Sequence, residues 1–453
     1  MHHLIAMLLV PLSLAAEPVN GRLEQIGELR VLHVWGTPQE MGYAHGWLVG
    51  SDFATAMHEF FDQVPASAAP VVDLMRSWAD LIDLDEDHRA ELAGLYQGMR
   101  DRVGDERLQL AGLDRMLDET DLRIWNGYDM FRAVGCSGFA VWDARTGGAP
   151  IVARTLDLAV FSPHWVASQI VLVRHPNEGH ATASVIPVGL LGIMTGINEH
   201  GVCGFLHDGD GPRQSAVLEP ERPVMFAIQD ILSRAAAGTA QTVAAEELAA
   251  QGPFPFSYMI RIAGPRRRSG PPAVTWRLDA DGTAAATAGD GLTITTNHTT
   301  TRGDEPPRLS ADDSCRRYGR LYGCCNAPKT PIDAAAAWDA IVTVGQDHAS
   351  FMTLHAVVAE PESGRWHVGV AHRDATGALR PATDRPPTLL SLDALFADPR
   401  PGHPVPAVDD GVPAVSTGGH EVDPGGHPLA GAAKLNADLN PLIPARVPLQ
   451  PIE

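Results

Sequence analysis

The feature that most constrains the fold is a series of short segments, beginning after Gly135, in which apolar and polar residues alternate. Gly, Pro and Asp separate these segments, and period-two alternation with such punctuation is typical of β-strands and hairpins. The sequence therefore predicts an extensive β-structure in this part of the chain. The predicted strands cover residues 137–142, 150–158, 167–174, 183–188, 201–206, 257–263, 273–279, 292–296, 352–358 and 365–371.

Helices are predicted before and between these strands. Residues 37–130 read mostly as helix, and the first helix has Thr37 as its N-cap, Pro38 at its first position and Glu40 three residues after the cap. Strands with helices grouped outside them predict a layered α+β domain. Further helices are expected at residues 224–236, 241–251, 314–323 and 332–343.

The charge of the chain limits its partners. A net charge of −21 repels phosphate backbones and anionic lipids, which disfavours nucleic acid and acidic membrane surfaces. No segment is long and apolar enough for a transmembrane helix. We expect a small, neutral or cationic molecule as the partner, and we expect no metal or organic cofactor.

The two ends of the chain differ from its middle. Residues 1–16 hold an apolar run that ends in Ala15 and Ala16, which predicts a secretory signal peptide and a secreted or periplasmic protein, although His2 and His3 replace the usual basic residues. Residues 398–453 are rich in Pro and Gly and predict a tail or surface wrap. A solvated loop is the favoured interpretation of the two histidines in "GGHEVDPGGH".

Cys136 is the residue with the clearest chemical potential. The chain has five cysteines, an odd number, so in an exported protein at least one thiol stays free or pairs with another molecule. A free thiol, with a pKa of about 8.5, needs a base or a nearby cation to become a nucleophile. If the bond between Gly135 and Cys136 is cut, the new α-amine is such a base. The alternative is a small, buried apolar residue at the start of a strand.

A predicted hairpin brings charged residues to this cysteine. Residues 136–142 and 150–158 pair antiparallel across the turn "ARTGGAP", which places Cys136 opposite the end of the second strand, near Arg154 and Asp157. Arg154 can stabilise a thiolate and Asp157 can bind an α-ammonium group. A surface salt bridge between the two is the simpler alternative.

These motifs resemble the N-terminal nucleophile hydrolases of peptidase family C45, the acyl-coenzyme A:6-aminopenicillanic acid acyltransferase-like proteins. Relatives at greater distance are choloylglycine hydrolase, penicillin V acylase and acid ceramidase. The similar segments follow the order of the family and cover most of residues 36–371. They are "GTPQEMGYAHG" (36–46), Cys136 with "ARTLD" (153–157), "GINEHGVCGF" (196–205), "TTNHT" (295–299), "SCRRYGRL" (314–321) and "TLHAVVAEPESGRWHVGV" (353–370).

The resemblance implies a role for each matching residue. Cys136 is the nucleophile, freed by self-cleavage after Gly135, and Arg154 and Asp157 orient it. Asn297 and Asn198 are oxyanion donors, and Arg320 is the inward-pointing arginine of the helix that follows. Thr155 departs from the family, which has Asn at this place, and leaves substrate preference open. The expected roles are carried by Gly135, Cys136, Arg154, Asp157, Asn198, Asn297 and Arg320.

The resemblance also implies a fold and an activity. We expect a four-layer αββα sandwich with antiparallel sheets and an N-terminal helical segment. Residues 17–135 are the N-terminal segment, which stays associated after cleavage, and residues 136–397 are the catalytic core. The expected reaction is hydrolysis of a linear, non-peptide amide bond through an acyl-cysteine. An acyltransferase and an inactive secreted binding protein of the same fold are the alternatives.

The residues allow two other kinds of site. His200, Cys203, His207 and Asp208 have a spacing that allows a metal site, but their alternation fits a strand better. A conventional cysteine–histidine enzyme needs a histidine near Cys136, for which the sequence leaves several choices open. Those choices are His207, His298, His348 and His355.

Overall fold

A computed structural model describes residues 19–400 of the 453-residue chain. The predicted signal peptide and all but the first residues of the predicted C-terminal extension lie outside the described residues. Within 19–400 the description leaves out residues 65–68, 128–133, 211–219, 252–253, 255, 268–269, 287–290, 299–312 and 327.

The strands of the described part follow one another along most of the chain. In order, they are β1 (Gly21–Ile26), β2 (Leu29–Gly36), β3 (Gln109–Leu110), β4 (Arg115–Met116), β5 (Val134–Asp143), β6 (Gly148–Ala159), β7 (Gln169–Pro176), β8 (Thr182–Pro187), β9 (Thr195–Asn198), β10 (Cys203–Asp208), β11 (Tyr258–Ala263), β12 (Ala273–Asp279), β13 (Gly282–Ala286), β14 (Leu292–Thr295), β15 (Asp347–His348), β16 (Phe351–Glu360), β17 (Arg365–Val370), β18 (His372–Arg373), β19 (Leu379–Arg380) and β20 (Thr388–Ser391).

The helices are concentrated before β5 and after β10. They are α1 (Pro38–Asp62), α2 (Ala69–Ser77), α3 (Glu86–Val103), α4 (Asp105–Leu108), α5 (Glu119–Trp125), α6 (Pro163–Ala167), α7 (Val224–Arg234), α8 (Ala240–Ala250), α9 (Asp313–Cys325), α10 (Ala334–Val342) and α11 (Leu392–Leu395), with short 3₁₀ turns at Trp78–Leu81 and Ala111–Leu113.

Two large sheets contain most of these strands. Within the described ranges, one sheet has nine strands in the order β1-β2-β7-β8-β9-β10-β11-β12-β13. The other has seven, with the order β14-β5-β6-β16-β17-β20 and β15 paired to β16. The pairs in both sheets are antiparallel except β2 with β7, which is parallel. The prediction of antiparallel sheets is therefore correct apart from that pair.

Three apolar layers show how the sheets and helices stack. Between the sheets, Val31 and Val171 of the nine-stranded sheet pack with Val152 and Val357 of the other. On the outer face of the nine-stranded sheet, side chains from its strands pack against α1, α3 and α7. On the outer face of the seven-stranded sheet, they pack against α9 and α10. The order is thus helix, sheet, sheet, helix, which confirms the predicted four-layer α+β fold.

The pattern-based predictions agree with most of the elements. Each predicted strand after Gly135 corresponds to an observed one, and α1 begins with the predicted capping box between Thr37 and Glu40. The N-terminal segment differs from its prediction, because β1 and β2 precede its helices and join the nine-stranded sheet. Their backbone hydrogen bonds tie the segment to the core.

Glycines allow α1 and α3 to pack with their backbones in contact. A Cβ atom at Gly46 would lie 2.1 Å from the carbonyl oxygen of Leu95, and one at Gly98 would lie 2.1 Å from that of Tyr43. Such distances are too short for a side chain, so glycine is required on both helices. The helix pair forms a rigid cover over the outer face of the nine-stranded sheet.

A search of the described helices for a membrane span finds none that combines the necessary length and apolar character.

Candidate active site

The β5–β6 hairpin places the candidate nucleophile. The two strands pair antiparallel, with Cys136 opposite Leu156 and Gly135 opposite Asp157. Cys136 has no exposed surface, and its Sγ lies 3.5 Å from the carbonyl oxygen of Leu206 in β10. The thiol therefore points from the seven-stranded sheet toward the nine-stranded one.

Arg154 is the cation that contacts the thiol. Its Nη2 donates to Cys136 Sγ at 3.2 Å and to the carbonyl oxygen of Leu206 at 2.5 Å, and its Nη1 donates to that of Met194 at 2.5 Å. The guanidinium is fully buried. Because the carbonyl groups of Leu206 in β10 and of Met194, just before β9, hold the guanidinium, Arg154 is fixed between the sheets with one amino group on the sulfur.

Asp157 lies on the opposite face of the hairpin from Arg154. Its Oδ1 accepts a hydrogen bond from Thr353 Oγ1 at 2.6 Å, while Oδ2 is buried without a hydrogen-bond partner among the described residues. Burial raises the pKa of Asp157 to about 6, against the opposing effects of Arg317, the Thr353 hydrogen bond and Arg154. A buried carboxylate oxygen without a partner is costly, and this one belongs to the residue paired with Gly135.

The side chains around position 135 leave no room for a residue larger than glycine. A Cβ atom at this position would lie 2.8 Å from the ring of Phe351 and 3.2 Å from Asp157 Cβ. Gly135 is not among the described residues with positive φ, so its backbone conformation does not by itself require glycine. Crowding by its neighbours, and not a left-handed conformation, explains this glycine.

Asn297 contacts the backbone of the nucleophile. Its Oδ1 accepts the hydrogen bond of the Cys136 N–H at 2.9 Å, and its Nδ2 donates to the carbonyl oxygen of Asp208 at 3.1 Å. The Asn297 N–H in turn donates to Ser314 Oγ, on α9, at 2.8 Å. The side-chain oxygen that faces the nucleophile is thus an acceptor aimed at the Cys136 nitrogen.

Arg317 is the arginine that α9 brings to the site, and the expectation of Arg320 is wrong. Arg317 is 6% exposed, and its Nη1 donates to the Cys136 carbonyl oxygen at 2.5 Å and to Ser137 Oγ at 2.7 Å. Its Nη2 donates to Asn297 Oδ1 at 2.8 Å. Arg320 is exposed and donates to the carbonyl oxygen of Thr343. The two arginines are three residues apart on the helix, and only Arg317 faces β5.

The buried positions of α9 explain which arginine faces inward. Ser314, Arg317, Leu321 and Cys325 form its buried stripe. Their spacing of three and four residues follows one face of a helix. The apolar residues Leu321 and Cys325 mark that face in the sequence, so extending it by one turn is the signal that identifies Arg317.

The expectation that Asn198 is an oxyanion donor is also wrong. Its Nδ2 donates to the carbonyl oxygens of Leu232 and Ala235, at 2.8 and 2.7 Å. An amide group has two hydrogens, so both are used. Its Oδ1 accepts from the backbone N–H groups of His200 and Val202. Asn198 instead fixes the turn between β9 and β10 and ties it to the end of α7.

The other residues weighed from the sequence do not form a second catalytic group with Cys136. Among the described residues, no histidine is hydrogen-bonded to Cys136 Sγ. His207 is fully buried and burial lowers its pKa, while His355 contacts Thr195 and Gln169. His298 Nδ1 lies 2.8 Å from Ser314 Oγ, and His348 is exposed. Within the described ranges, the polar groups in contact with the sulfur are Arg154 Nη2 and the Leu206 carbonyl oxygen.

The remaining cysteines are all free thiols in the structure. Cys203 and Cys325 are buried, which raises the pKa of Cys325 to about 12 and that of Cys203 further. The Cys136 pKa is also raised by burial, but here Arg154 opposes the shift with its charge and its hydrogen bond. Cys136 is thus the buried thiol with a cation in contact.

Thr155 stands where the family that the sequence resembles has Asn. It is buried, and its Oγ1 has no hydrogen-bond partner in the described part of the chain.

Comparison with known proteins gives partial likenesses. No protein-family model matches the chain. An uncharacterized protein of Archaeoglobus fulgidus is 27% identical over 207 residues, which is 40% of this chain and 33% of that protein. Protein dcd1B of Dictyostelium discoideum is 26% identical over 205 residues, 42% of this chain and 41% of that protein. The chain thus spans less than half the length of the curated relatives it matches.

Solved structures with a similar arrangement are more remote in sequence. The N-acylethanolamine-hydrolyzing acid amidase ortholog of Caenorhabditis elegans has 15% identity and a TM-score of 0.37, covering 50% of this chain and 93% of that one. A mutant conjugated bile acid hydrolase from Clostridium perfringens has 12% identity and a TM-score of 0.37, covering 57% of this chain and 92% of that one. Penicillin V acylase from Agrobacterium tumefaciens has 12% identity and a TM-score of 0.35, covering 52% of this chain and 82% of that one. Each TM-score is below 0.5, so the function proposed for Cys136 is argued from the contacts around that residue and not from these likenesses.

The different positions of Arg317 and Arg320 give the first testable prediction. Replacing Arg317 with Ala leaves Asn297 Oδ1 and the Cys136 carbonyl without a buried, charged donor. We expect a loss of about 3 kcal/mol or more in the free energy of unfolding, because hydrogen bonds to charged groups contribute about 1.5–3 kcal/mol each. Arg320→Ala is the matched control on the same helix, with an expected change within about 0.5 kcal/mol. Urea unfolding in a Cys136→Ala background measures both, and equal effects would contradict the assignment.

Asp157 gives a prediction about pH. Its pKa of about 6 in the folded chain exceeds the unfolded value of about 3.9. The contribution to stability is thus complete below pH 4 and is lost as the pH rises through 6. Asp157→Asn should remove this loss. With Cys136→Ala present in both proteins, the free energy of unfolding of the Asp157→Asn variant, measured relative to that of the protein with Asp157, should rise by on the order of 3 kcal/mol between pH 4 and 7. Parallel stability profiles for the two proteins would show that Asp157 titrates normally.

Proposed function

We propose that this protein is a self-processed cysteine hydrolase, with an N-terminal nucleophile, that cleaves a linear, non-peptide amide bond in a small acylated amine. The observation that carries the proposal is the surroundings of Cys136. Its buried Sγ is contacted by Arg154 at 3.2 Å, and its backbone nitrogen is contacted by Asn297 Oδ1 at 2.9 Å. The two atoms that such a nucleophile uses, sulfur and nitrogen, therefore have separate polar partners.

The surroundings of the thiol favour the α-amine of Cys136 as the base. The side chain in contact with Sγ is Arg154, and a guanidinium donates hydrogen bonds but does not accept a proton. Cutting the Gly135–Cys136 bond would create an amine with a pKa near 8 on the same residue as the thiol. Asn297 Oδ1 already accepts the hydrogen of this nitrogen, and Asp157 Oδ2 is the acceptor available for a second one.

Self-cleavage would use the same atoms. Cys136 Sγ attacks the carbonyl carbon of Gly135, the bond from that carbon to the Cys136 nitrogen breaks, and the nitrogen takes the thiol proton. Water then hydrolyses the thioester, which leaves a carboxylate on Gly135 and restores the thiol. The ammonium form of the new amine would neutralise the Asp157 carboxylate, whose Oδ2 has no hydrogen-bond partner among the described residues of the uncut chain.

The amide reaction would follow the same course on a substrate. The α-amine accepts the thiol proton, the thiolate attacks the amide carbonyl, and the amine returns the proton to the leaving nitrogen. Water then releases the acid from the acyl-cysteine. Arg154 holds the sulfur and Arg317 holds the Cys136 carbonyl, so both are positioning residues in this scheme. The role of Asn297 as an oxyanion donor stays a prediction.

The uncut chain is expected to be inactive. Cys136 has no exposed surface while Val134 and Gly135 continue β5 and pair with Leu158 and Asp157. Cleavage would free these two residues to leave the strand, and the sulfur would become accessible. The segment 17–135 would remain bound, since β2 pairs with β7 and the α1–α3 pair covers the sheet.

The proposal includes the expected domain division. Residues 136–397 form the catalytic core and residues 398–453 an extension, while residues 1–16 direct export. We favour hydrolysis over acyl transfer, since none of the described residues discussed at the site has a role in binding an acceptor amine. An inactive binding protein is less compatible with a cysteine, two arginines and an aspartate that are all buried around one strand end.

A panel of acylated amines tests the activity. Penicillins, N-acyl amino acids and bile-acid conjugates cover different acyl and amine groups, and we expect release of the free acid from at least one of them. Cys136→Ala should reduce the release to background, whereas Cys324→Ala, at an exposed thiol outside the site, should leave it unchanged. Transfer of the acyl group to an added amine, with little free acid, would favour the acyltransferase. Full turnover by Cys136→Ala would contradict the proposal.

A further inference from the structure

Two tight turns of the nine-stranded sheet bring three metal-binding side chains together, away from Cys136. The β7–β8 turn carries His180, and the β9–β10 turn carries Glu199 and His200. One ligand atom from each of the three lies within 4.8 Å of the others. We propose that these residues bind a divalent transition-metal ion, with Zn²⁺ as the representative case.

The distances suit a tetrahedral ion. His180 Nδ1 lies 3.1 Å from His200 Nε2 and 3.2 Å from Glu199 Oε1. Zinc bonds of about 2.0–2.1 Å at tetrahedral angles separate two ligand atoms by roughly 3.3 Å. Two of the three ligand pairs are therefore already near the spacing that such an ion requires, and the third pair lies within 4.8 Å. Three protein ligands leave a fourth position for water.

The chemistry of the ligands supports a transition metal. Imidazole nitrogen together with one carboxylate is a set that zinc and its neighbours prefer, whereas calcium and magnesium prefer oxygen alone. Without an ion, His180 Nδ1 has one hydrogen at most to share between a carboxylate oxygen and an imidazole nitrogen. A metal ion satisfies all three ligand atoms at once.

The backbones of the two turns are held in place independently of any ion. The His180 N–H donates to the carbonyl oxygen of Ser233 at 2.8 Å, next to Gly179, which has a φ of +87°. The Glu199 N–H donates to the carbonyl oxygen of Ala181 at 3.1 Å, and Glu199 Oε1 accepts from the Ala181 N–H at 3.2 Å. The two turns are thus joined to each other and to α7.

Asn198 adds to this arrangement as a positioning residue. Its Oδ1 accepts from the His200 N–H at 3.1 Å, and its Nδ2 binds the end of α7. The position of the His200 backbone is therefore fixed by a fully buried side chain. This role accounts for an asparagine that the resemblance assigned to the oxyanion.

A second cluster of similar composition already has a cation in contact with it. Asp85, His88 and Asp230 also bring their ligand atoms together. However, Arg222 Nη2 contacts the carboxylates of both Asp85 and Asp230, so a guanidinium already supplies the positive charge. In the described part of the chain, Glu199 has no ion pair with an arginine or lysine. Its negative charge would therefore be balanced by His180 and the proposed ion.

Zinc binding to tag-free, chelator-treated protein tests the proposal. Isothermal titration with ZnCl₂ and metal analysis after dialysis should show one tightly held Zn²⁺ per chain, and the melting temperature should rise with zinc until the site is saturated. His180→Ala and His200→Ala should each weaken binding at least tenfold and remove the rise. His348→Ala, at an exposed histidine on β15, is the matched control and should behave like the parent.

Glu199→Gln separates metal binding from a loss of structure. Gln keeps an acceptor for the Ala181 N–H but removes the charge, so the variant should melt like the zinc-free parent and bind zinc more weakly. The proposal is overturned if the parent binds no zinc. It is also overturned if one zinc per chain persists in both histidine variants, because the ion would then be held elsewhere, for example by Cys324 and Cys325.

Discussion

The register of the β5–β6 hairpin is the constraint on which the candidate site depends. Gly135 lies opposite Asp157, and Cys136 lies opposite Leu156, in the interior of the seven-stranded sheet. A shift of one residue would turn every side chain of β5 to the other face. The thiol would then leave Arg154 and point to the outer helices. Burial of both faces, by the second sheet and by α9 and α10, makes that shift costly.

Two buried arginines act on opposite sides of the same residue. Arg154 reaches the sulfur from between the sheets, while Arg317 reaches the carbonyl oxygen from α9. Burial favours the neutral thiol, and it also raises the pKa of Asp157. The uncut chain therefore contains a thiol and a carboxyl group that are both kept from full ionisation. A positive amine at Cys136 is the change that would favour the charged form of each.

The sequence predicted the layered fold well because its signals are local. Alternation marks the strands, and the capping box at Thr37 marks the start of α1. The strands β1 and β2 were missed, since their place is decided by pairing with β7, far along the chain. Within the site, Arg154 and Asp157 follow from the hairpin, but Asn198 and Arg320 were assigned by motif. The place of Asn198 depends on how the β9–β10 turn meets α7, and the sequence carries no local signal for that contact. The place of Arg320 depends on which face of α9 is buried, and the apolar residues of α9 mark that face in the sequence.

Self-cleavage would make Cys136 the first residue of a separate chain. Intact-mass measurement of the purified protein, with sequencing of the new terminus, tests it most directly. We expect two associated chains, one of them Cys136–Glu453, and a single uncut chain for Cys136→Ala. A single uncut chain that hydrolyses an amide substrate would contradict self-cleavage as the source of the nucleophile, as would cleavage at the same bond in Cys136→Ala.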